Sequence, residues 1–321
     1  MTIYFITGGF GFLGQYIVQA LHEHEPDAEL RVLGRTQRTT MLGVENLERV
    51  RRIQGSLSQP ETYAHELEGV NAVIHNAALV SFRKSDADKI MKANVIGTRA
   101  LSQAALDAGC KNFIFISSIS AIGFNPDGIT DETMLPDMEY KRENDMYGFS
   151  KRTSEIELGE LTDRMRVIML NPSVILGPGS ERIEAVFKMA SFLPILPMLS
   201  YINSFVDVRD VAQSVVLALT KGRNGERYIV TAYNEEMLDF VRTTLKVAGK
   251  NPFIFPVAGP GVRLLDAILW VMDLLKLNPG IRRPSDMVVD KALSREKIKF
   301  EMGWEPAYSL EESIIDSISG A

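Results

Sequence analysis

The chain has 321 residues, of which 45% are hydrophobic and 24% are charged, and these ordinary values argue against disordered, collagen-like and repeat compositions. Lys and Arg number 35 against 41 Asp and Glu, so the formal net charge of −6 disfavours a nucleic-acid-binding protein, which needs a broad basic face. We therefore expect a small-molecule ligand, bound by one large domain or by two interlocked ones.

The cysteine and histidine content restricts the chemistry further. One cysteine, Cys110, cannot form an internal disulfide, and the four scattered histidines do not have the spacing of a zinc site. The first apolar run starts at Ile3 with no basic segment before it, unlike a secretory signal, and no window offers about 18 uninterrupted apolar residues. We expect a metal-free, cytoplasmic protein without a membrane span.

Short apolar runs alternate with helix-like segments over the first 120 residues. Such an alternation indicates βαβ units and a mostly parallel sheet that is covered on both faces. The predicted elements are strands at 3–7, 30–34, 72–78, 112–118, 166–172 and 227–231, with helices from about 11 to 24 and from about 87 to 108.

Beyond about residue 171 the pattern loosens into two Pro-interrupted apolar stretches, 191–199 and 251–261, and the amphipathic segment 262–277. We predict an α/β fold, a Rossmann-type doubly wound parallel sheet with a smaller, mostly helical C-terminal substrate domain. The predicted division is a cofactor-binding domain at 1–170, to which 204–231 returns, and a substrate-binding cap at 171–321.

A glycine-rich loop follows the first strand directly and leads into a helix-like segment. Because glycine has no side chain, the chain can turn tightly there, and its backbone can approach a pyrophosphate at a helix N-terminus. The free N–H groups at that terminus favour anions. This context predicts a dinucleotide site rather than a simple glycine turn. The residues of the predicted loop are Thr7, Gly8, Gly9, Phe10, Gly11, Phe12, Leu13 and Gly14.

Two arginines near the end of the second predicted strand favour NADP over NAD. An NAD-selective site usually places an acid about 20 residues past the glycines, whereas an arginine accommodates the 2′-phosphate of NADP. Here that region carries Arg35 and Arg38 and no carboxylate. The alternative is that both arginines are solvated loop charges.

Tyr147 and Lys151 are four residues apart, so in a helix both side chains lie on one face. A nearby ammonium group favours the phenolate and lowers the phenol pKa toward the range of a useful proton donor or acceptor. Ser117 and Ser118 end the fourth predicted strand, at the sheet edge where open α/β folds bind ligands. These residues are candidates for acid–base chemistry.

The chain resembles the extended short-chain dehydrogenases/reductases, which are part of the NAD-dependent epimerase/dehydratase superfamily. Its T-G-x-x-G-x-x-G loop and its Y-x-x-x-K pair match the two main motifs of that family. Nearly the whole chain is covered, and NPSVILGPG is similar to the dihydroflavonol-4-reductase-like branch. Further matching segments are HNAA at 75–78, NVIGT at 94–98, NPSVILGPG at 171–179 and FVDVRDVA at 205–212.

The resemblance implies a role for each matching residue. Ser118 would hydrogen-bond the substrate oxygen, Tyr147 would be the acid/base, and Lys151 would lower the tyrosine pKa and hold the nicotinamide ribose. Asn94 matches an asparagine with a structural and proton-relay role. The further cofactor-binding positions that it implies are Ser56, Leu57, Asn76, Ala77, Ala78, Ser117, Asn171, Pro172 and Ser173.

One departure from the family concerns the adenine contact. Relatives usually carry Gly-Asp-Leu where this chain has Gly55-Ser56-Leu57, so we expect Ser56 or the backbone to replace the missing carboxylate. Asn76 and Ala77-Ala78 fit a close approach of the cofactor and fit a small-residue strand end equally well. The family also implies a homodimer.

The reaction type is indicated by what the chain lacks. The Arg-x-x-Asn-x-Tyr-Gly-Pro pattern of sugar-nucleotide enzymes is absent at 170–178, and Ile119-Ser120 stands where dehydratases tend to carry Asp-Glu. Both differences favour carbonyl reduction. Apolar stretches at 185–205 and 253–277 favour an apolar substrate, although 262–277 alternatively packs on the core or on a dimer partner.

These observations lead to the hypothesis of an NADPH-dependent reductase of a ketone or aldehyde, with Tyr147 as the proton donor. Two alternatives stay open: a nucleotide-sugar epimerase or dehydratase with tightly held NAD, and a non-catalytic NADP-binding sensor. The complete set of Ser118, Tyr147 and Lys151 favours catalysis, because a sensor need not keep it.

Overall fold

The computed structural model describes residues 1–35, 39–126, 128–180, 195–250, 253–257, 260–275, 284–287 and 290–319. Arg38, which the sequence predicts at the cofactor site, lies outside the described residues, and so does the predicted stretch 191–199 before Ile195.

Strands and helices alternate through the first two thirds of the chain, as the sequence predicts. The strands are β1 Ile3–Thr7, β2 Glu29–Gly34, β3 Val50–Gln54, β4 Ala72–His75, β5 Asn112–Ile116, β6 Arg166–Pro172, β7 Val174–Leu176, β8 Ile195–Leu199, β9 Ile202–Asp207, β10 Arg227–Val230, β11 Tyr233–Glu236 and β12 Phe253–Val257. The described α-helices are α1 Phe12–His24, α2 Ala87–Ile90, α3 Gly97–Asp107, α4 Met138–Asn144, α5 Met146–Gly159, α6 Val208–Lys221, α7 Met237–Val247, α8 Pro260–Leu274, α9 Pro284–Met287, α10 Glu296–Met302 and α11 Leu310–Ser319.

Seven strands form the central sheet, and all neighbouring pairs in it are parallel. The strand order is β10-β6-β5-β4-β1-β2-β3, so the chain builds outward from β1 in both directions. This confirms the doubly wound, Rossmann-type sheet. Because the strands are parallel, all their carboxyl ends meet at one edge, and the crevice at the point where the strand order reverses, between β1 and β4, can hold a ligand.

The edge strand β3 is absent from the elements that the sequence predicts. Its polar residues Arg51, Arg52 and Gln54 interrupt the apolar run that would predict a strand. Ile53 is the one residue of β3 that is buried. It pairs with β2, so the prediction that Ser117 and Ser118 follow the fourth strand is wrong: they follow the fifth. The two serines nevertheless lie at the predicted edge of the sheet.

Two apolar cores cover the faces of the sheet. In β1, Phe5 belongs to one core and Ile6 to the other, and both are completely buried. Helix α3 contributes Leu101 to the first core, while α1 and α6 contribute Ile17 and Val211 to the second. Each such side chain contributes about 2 kcal/mol through burial, which holds the helices against the sheet and fixes the loops at its edge.

The helix predicted from about 87 to 108 is interrupted. Between α2 and α3, residues 91–96 form a wider, π-type turn that contains Asn94. The Asn94 amide oxygen accepts a hydrogen bond from the Leu79 N–H at 2.7 Å, and its Nδ2 donates to the Leu79 carbonyl and to Ser150 Oγ, both at 3.0 Å. Asn94 therefore ties the loop after β4 to helix α5.

The C-terminal region contains helices, and it also contains two small sheets that the sequence does not predict. These have the orders β11-β9-β7 and β12-β8. Ile298, Met302 and Trp304, which lie in the predicted cap, pack in the core of the main sheet instead. The segment around α10 thus belongs with the cofactor-binding half, because its apolar side chains find their buried partners there.

Candidate active site

A deep cleft of about 2340 Å³ runs along the carboxyl edge of the central sheet. This volume exceeds the roughly 300–1,000 Å³ of an ordinary small-molecule pocket, so it has room for an extended ligand together with a second one. Most of the predicted site residues line it. Those that do are Thr7, Gly8, Phe10, Gly11, Phe12, Leu13, Arg35, Ser56, Leu57, Asn76, Ala77, Ala78, Ser117, Ser118, Tyr147, Lys151, Pro172 and Ser173.

The glycine loop is shaped by close backbone contacts. Gly8 has φ +69°, and a Cβ atom there would lie 2.8 Å from the backbone nitrogen of Ala77. Gly14 does not line the cleft; a Cβ at this position would lie 1.9 Å from the carbonyl oxygen of Gly8. Gly14 therefore brings α1 against the loop, and the open side of the loop faces the cleft, as a bound pyrophosphate requires.

Arg35 is exposed at the end of β2 and lines the part of the cleft where the sequence predicts the adenosine ribose. A second arginine, Arg52 of β3, lies near this part of the cleft, and no sequence motif indicates it. Its guanidinium lies 4.9 Å from the centre of the Phe10 ring and close to Gly34, and its buried Nη2 has no hydrogen-bond partner. Arg35 therefore lines the cleft directly, whereas Arg52 contacts it through Phe10, which is a lining residue.

Helix α5 carries Tyr147 and Lys151 to the cleft wall. Its first turn is capped by Asp145, whose carboxylate accepts a hydrogen bond from the Gly148 N–H at 3.0 Å. The Lys151 ammonium donates to the Ile116 carbonyl at 2.6 Å and lies 4.6 Å from the centre of the Phe115 ring. This hydrogen bond holds the lysine against Ile116, the last residue of β5.

Burial lowers the pKa of Lys151 to about 7, because a charged ammonium loses its hydration there. The negative charge of Glu155, one helical turn further along, acts in the opposite direction. Ser118 lines the same cleft just after β5, and its Oγ accepts a hydrogen bond from the Ser120 N–H at 3.1 Å. The arrangement combines a phenol, a hydroxyl and a lysine in one wall, which is suited to proton transfer to an oxygen atom.

Three predicted site residues form hydrogen bonds inside the protein, and two of them do not line the cleft. Asn94 and Asn171 do not line the cleft, and both have their amide nitrogens engaged inside the protein. Ser117 does line it, but its hydroxyl donates to Glu155 at 2.6 Å. The structure therefore assigns Asn94 a positioning contact and no contact with the cleft.

Outside the predicted cofactor-binding positions, the cleft lining is aromatic and charged rather than simply apolar. None of the side chains that the structure describes in 253–257 and 260–275 lines it, so this part of the apolar stretch does not form the wall of the cleft. The residues that do line this part of the cleft come from distant segments of the chain, so no sequence motif indicates them. The lining there includes Phe82, Phe124, Tyr140, Lys141, Tyr201, Asn203 and Lys291.

The fully buried His75 is the last residue of β4, with Nδ1 2.6 Å from Thr7 Oγ1 and Nε2 2.8 Å from Thr98 Oγ1. Burial is the main cause that lowers its pKa from 6.5 to about 3. The folded protein therefore keeps His75 neutral, whereas the unfolded chain takes up a proton as the pH falls below 6.5.

We expect this difference to lower the free energy of unfolding between pH 6.5 and pH 3, by up to about 1.4 kcal/mol per pH unit. Urea unfolding midpoints of the wild type and of His75→Gln between pH 4 and pH 7 would measure it. The variant should lack this part of the pH dependence. Equal slopes in both proteins would contradict the assignment.

Neither a membrane-spanning segment nor a metal cluster is found in the described part of the chain. No helix there has both the length and the apolar character needed to cross a bilayer. Nor do three or more His, Cys, Asp or Glu side chains converge there in a way that would hold a metal ion.

Known proteins are similar to this chain in sequence and in fold. Sterol demethylase protein B of Methylococcus capsulatus is 32% identical over 235 residues, which cover 70% of this chain and 68% of that protein. A Synechocystis protein named provisionally as a dihydroflavonol 4-reductase is 29% identical over 238 residues, covering 71% and 67%. The crystal structure of gox2253 superposes with a TM-score of 0.83 at 28% identity and covers 100% of this chain and 98% of that one.

The sequence profile of the NAD dependent epimerase/dehydratase family matches residues 4–231, which is well over half of the chain. The doubly wound sheet, the glycine loop at its edge and the Tyr147–Lys151 wall agree with this match. The chain therefore belongs to the NAD-dependent epimerase/dehydratase family and is an NAD(P)-dependent oxidoreductase of the extended short-chain dehydrogenase/reductase type.

Proposed function

We propose that the protein is an NADPH-dependent reductase of a ketone or aldehyde. The observation that carries the proposal is that Ser118, Tyr147 and Lys151 line the same cleft as the glycine loop. A bound nicotinamide cofactor supplies the hydride for such a reaction. The residues of this chain then have to bind the carbonyl oxygen and deliver a proton to it.

Each of the three residues has one task in this proposal. Ser118 donates a hydrogen bond to the carbonyl oxygen, and Tyr147 transfers its phenolic proton to the same atom. Lys151, in its charged form, favours the phenolate that Tyr147 becomes and binds the ribose of the cofactor. Loss of the Lys151 charge at high pH should therefore reduce turnover.

Arg35 supports the preference for NADPH over NADH. Its exposed guanidinium is available to a 2′-phosphate at the end of β2, and Arg52 adds a second positive charge nearby. We expect Arg35→Gln to weaken NADPH binding roughly tenfold to a hundredfold, because charge-assisted hydrogen bonds of about 1.5–3 kcal/mol are lost. NADH binding should change little.

Fluorescence titrations of the variant with both cofactors measure this effect. Arg242→Gln is the matched control, because Arg242 is an exposed arginine of α7 that pairs with Asp239 and does not line the cleft. An equal loss of NADPH and NADH affinity, or no loss at all, would contradict the role of Arg35.

The substrate that we propose has an apolar or aromatic body next to its carbonyl group. The aromatic rings of Phe82, Phe124 and Tyr201 line the cleft and suit such a body. The Methylococcus relative is named for a sterol, whose ring system is an apolar body of this kind. The homodimer and the cytoplasmic location remain predictions. Light scattering of the purified protein would test the homodimer.

One observation favours a second candidate, a nucleotide-sugar epimerase or dehydratase with tightly held NAD. Lys89, Lys92 and Lys291 also line the cleft, and such cations suit a pyrophosphate. Denaturing the purified protein and identifying the released nucleotide distinguishes the two: stoichiometric NAD supports the second candidate. NADPH oxidation with a panel of ketones and aldehydes supports the first, whereas NADPH binding without oxidation across the panel would indicate a non-catalytic sensor.

A further inference from the structure

Helix α5 contains a buried carboxylate that the proposed reaction does not use. Glu155 is 1% exposed, and its carboxylate contacts four polar or charged side chains. Its Oε1 accepts hydrogen bonds from Ser117 Oγ and from Asn171 Nδ2, both at 2.6 Å. Its Oε2 lies 3.0 Å from Arg152 and 3.5 Å from Arg227.

These contacts connect three elements that form the cleft wall. Ser117 follows β5, Asn171 lies in β6, and Glu155 belongs to the helix that carries the tyrosine and the lysine. Asn171 Nδ2 also donates to the carbonyl oxygen of Ser118 at 3.0 Å. The backbone of the candidate catalytic serine is therefore fixed, through one amide group, to the carboxylate.

Stability alone does not explain this group. Burying a carboxylate costs several kcal/mol before its partners compensate, and well-packed apolar residues of similar volume often fill such a space at lower cost. The two arginines and the two neutral donors satisfy Glu155 in this chain. What the charge adds is a fixed hydrogen-bond geometry and an electric field next to Lys151.

The field acts on Lys151 from one helical turn away. Burial favours the neutral form of this lysine, and the Glu155 charge opposes that effect and raises its pKa. The carboxylate therefore helps to keep the ammonium charged near neutral pH. A neutral residue at position 155 would leave the desolvation of Lys151 without this opposition.

We propose that Glu155 is a positioning residue for the reaction: its carboxylate ties the ends of β5 and β6 to helix α5, so that Tyr147 and Ser118 address one substrate oxygen. This inference rests on the proposed carbonyl reduction. Glu155 itself does not line the cleft, so a ligand bound there would not contact it directly. Its effect is transmitted through Ser117, Asn171 and Lys151.

The test compares Glu155→Gln with the control Glu157→Gln. Glu157 is on the same helix, but it is partly exposed and pairs with Arg99 at the surface. In Glu155→Gln we expect kcat to fall by about tenfold to a hundredfold, with a smaller change in the KM for NADPH. We also expect the decline of activity with rising pH to begin at lower pH than in the wild type. Glu157→Gln should match the wild type in both.

A second measurement does not depend on turnover. Lys151 can be titrated by NMR in protein labelled with ¹³C-lysine, with Lys151→Arg to assign its resonance. In Glu155→Gln the titration should move to lower pH. A folded Glu155→Gln protein with wild-type kcat and wild-type Lys151 titration would overturn the proposal. A lower melting temperature without a change in kcat or in the Lys151 titration would also overturn it, because it would show a purely structural role. If the wild type reduces no carbonyl compound, the proposed function fails separately, and the Lys151 titration alone decides the role of Glu155.

Discussion

Replacing Tyr147 with Phe is expected to lower kcat/KM for carbonyl reduction by a factor of about 10³, while NADPH binding stays within about twofold of the wild type. The change removes one oxygen atom, and with it the proton that the carbonyl oxygen receives, so the loss falls on the transition state. A factor of 10³ corresponds to about 4 kcal/mol. Steady-state NADPH oxidation and fluorescence titration of NADPH measure the two quantities.

The control for this substitution is Tyr140→Phe. Tyr140 also lines the cleft, but it is half exposed on α4 and is not part of the Ser118–Lys151 wall. We expect the control to retain most of the activity. Near wild-type turnover in Tyr147→Phe would remove Tyr147 as the proton donor, and equal losses in the two variants would point to the shape of the cleft instead.

Gly14→Ala is expected to have the largest effect on stability. The added Cβ would lie 1.9 Å from the carbonyl oxygen of Gly8 and 2.7 Å from the Gly9 Cα, and neither backbone atom can move without shifting the loop. Such overpacking costs about 3 kcal/mol or more. Because the displaced atoms belong to the loop that faces the cleft, NADPH affinity should fall together with the free energy of unfolding.

Gly159→Ala is the matched control, since Gly159 is also helical and a Cβ there meets nothing within 4 Å. Alanine should stabilise that position by about 0.5 kcal/mol, through reduced freedom of the unfolded chain. Urea unfolding curves of both variants, with and without NADPH, measure these effects. A Gly14→Ala protein that unfolds at the wild-type midpoint would contradict the close approach of α1 to the loop.

Local patterns predicted the elements around the cofactor site well. The strand at β1, the glycine loop and the start of α1 were predicted within a residue, because apolar runs and glycines act over short distances. The edge strand β3 was missed because only Ile53 of it is buried, and the small C-terminal sheets were missed because pairing partners such as Phe205 and Tyr233 are far apart in the chain.

The sequence by itself determined the family motifs and the candidate residues Ser118, Tyr147 and Lys151, because these depend on residue type and spacing. It also determined the doubly wound fold, because that depends on the alternation of strands and helices along the chain. Only the tertiary structure decided that the Glu155 carboxylate accepts hydrogen bonds from Ser117 and Asn171, and that Arg52 lies over the Phe10 ring. Both depend on side chains from different strands or helices meeting in space. Sequence spacing carries no information about such contacts, since they are created when the sheet and its helices pack together.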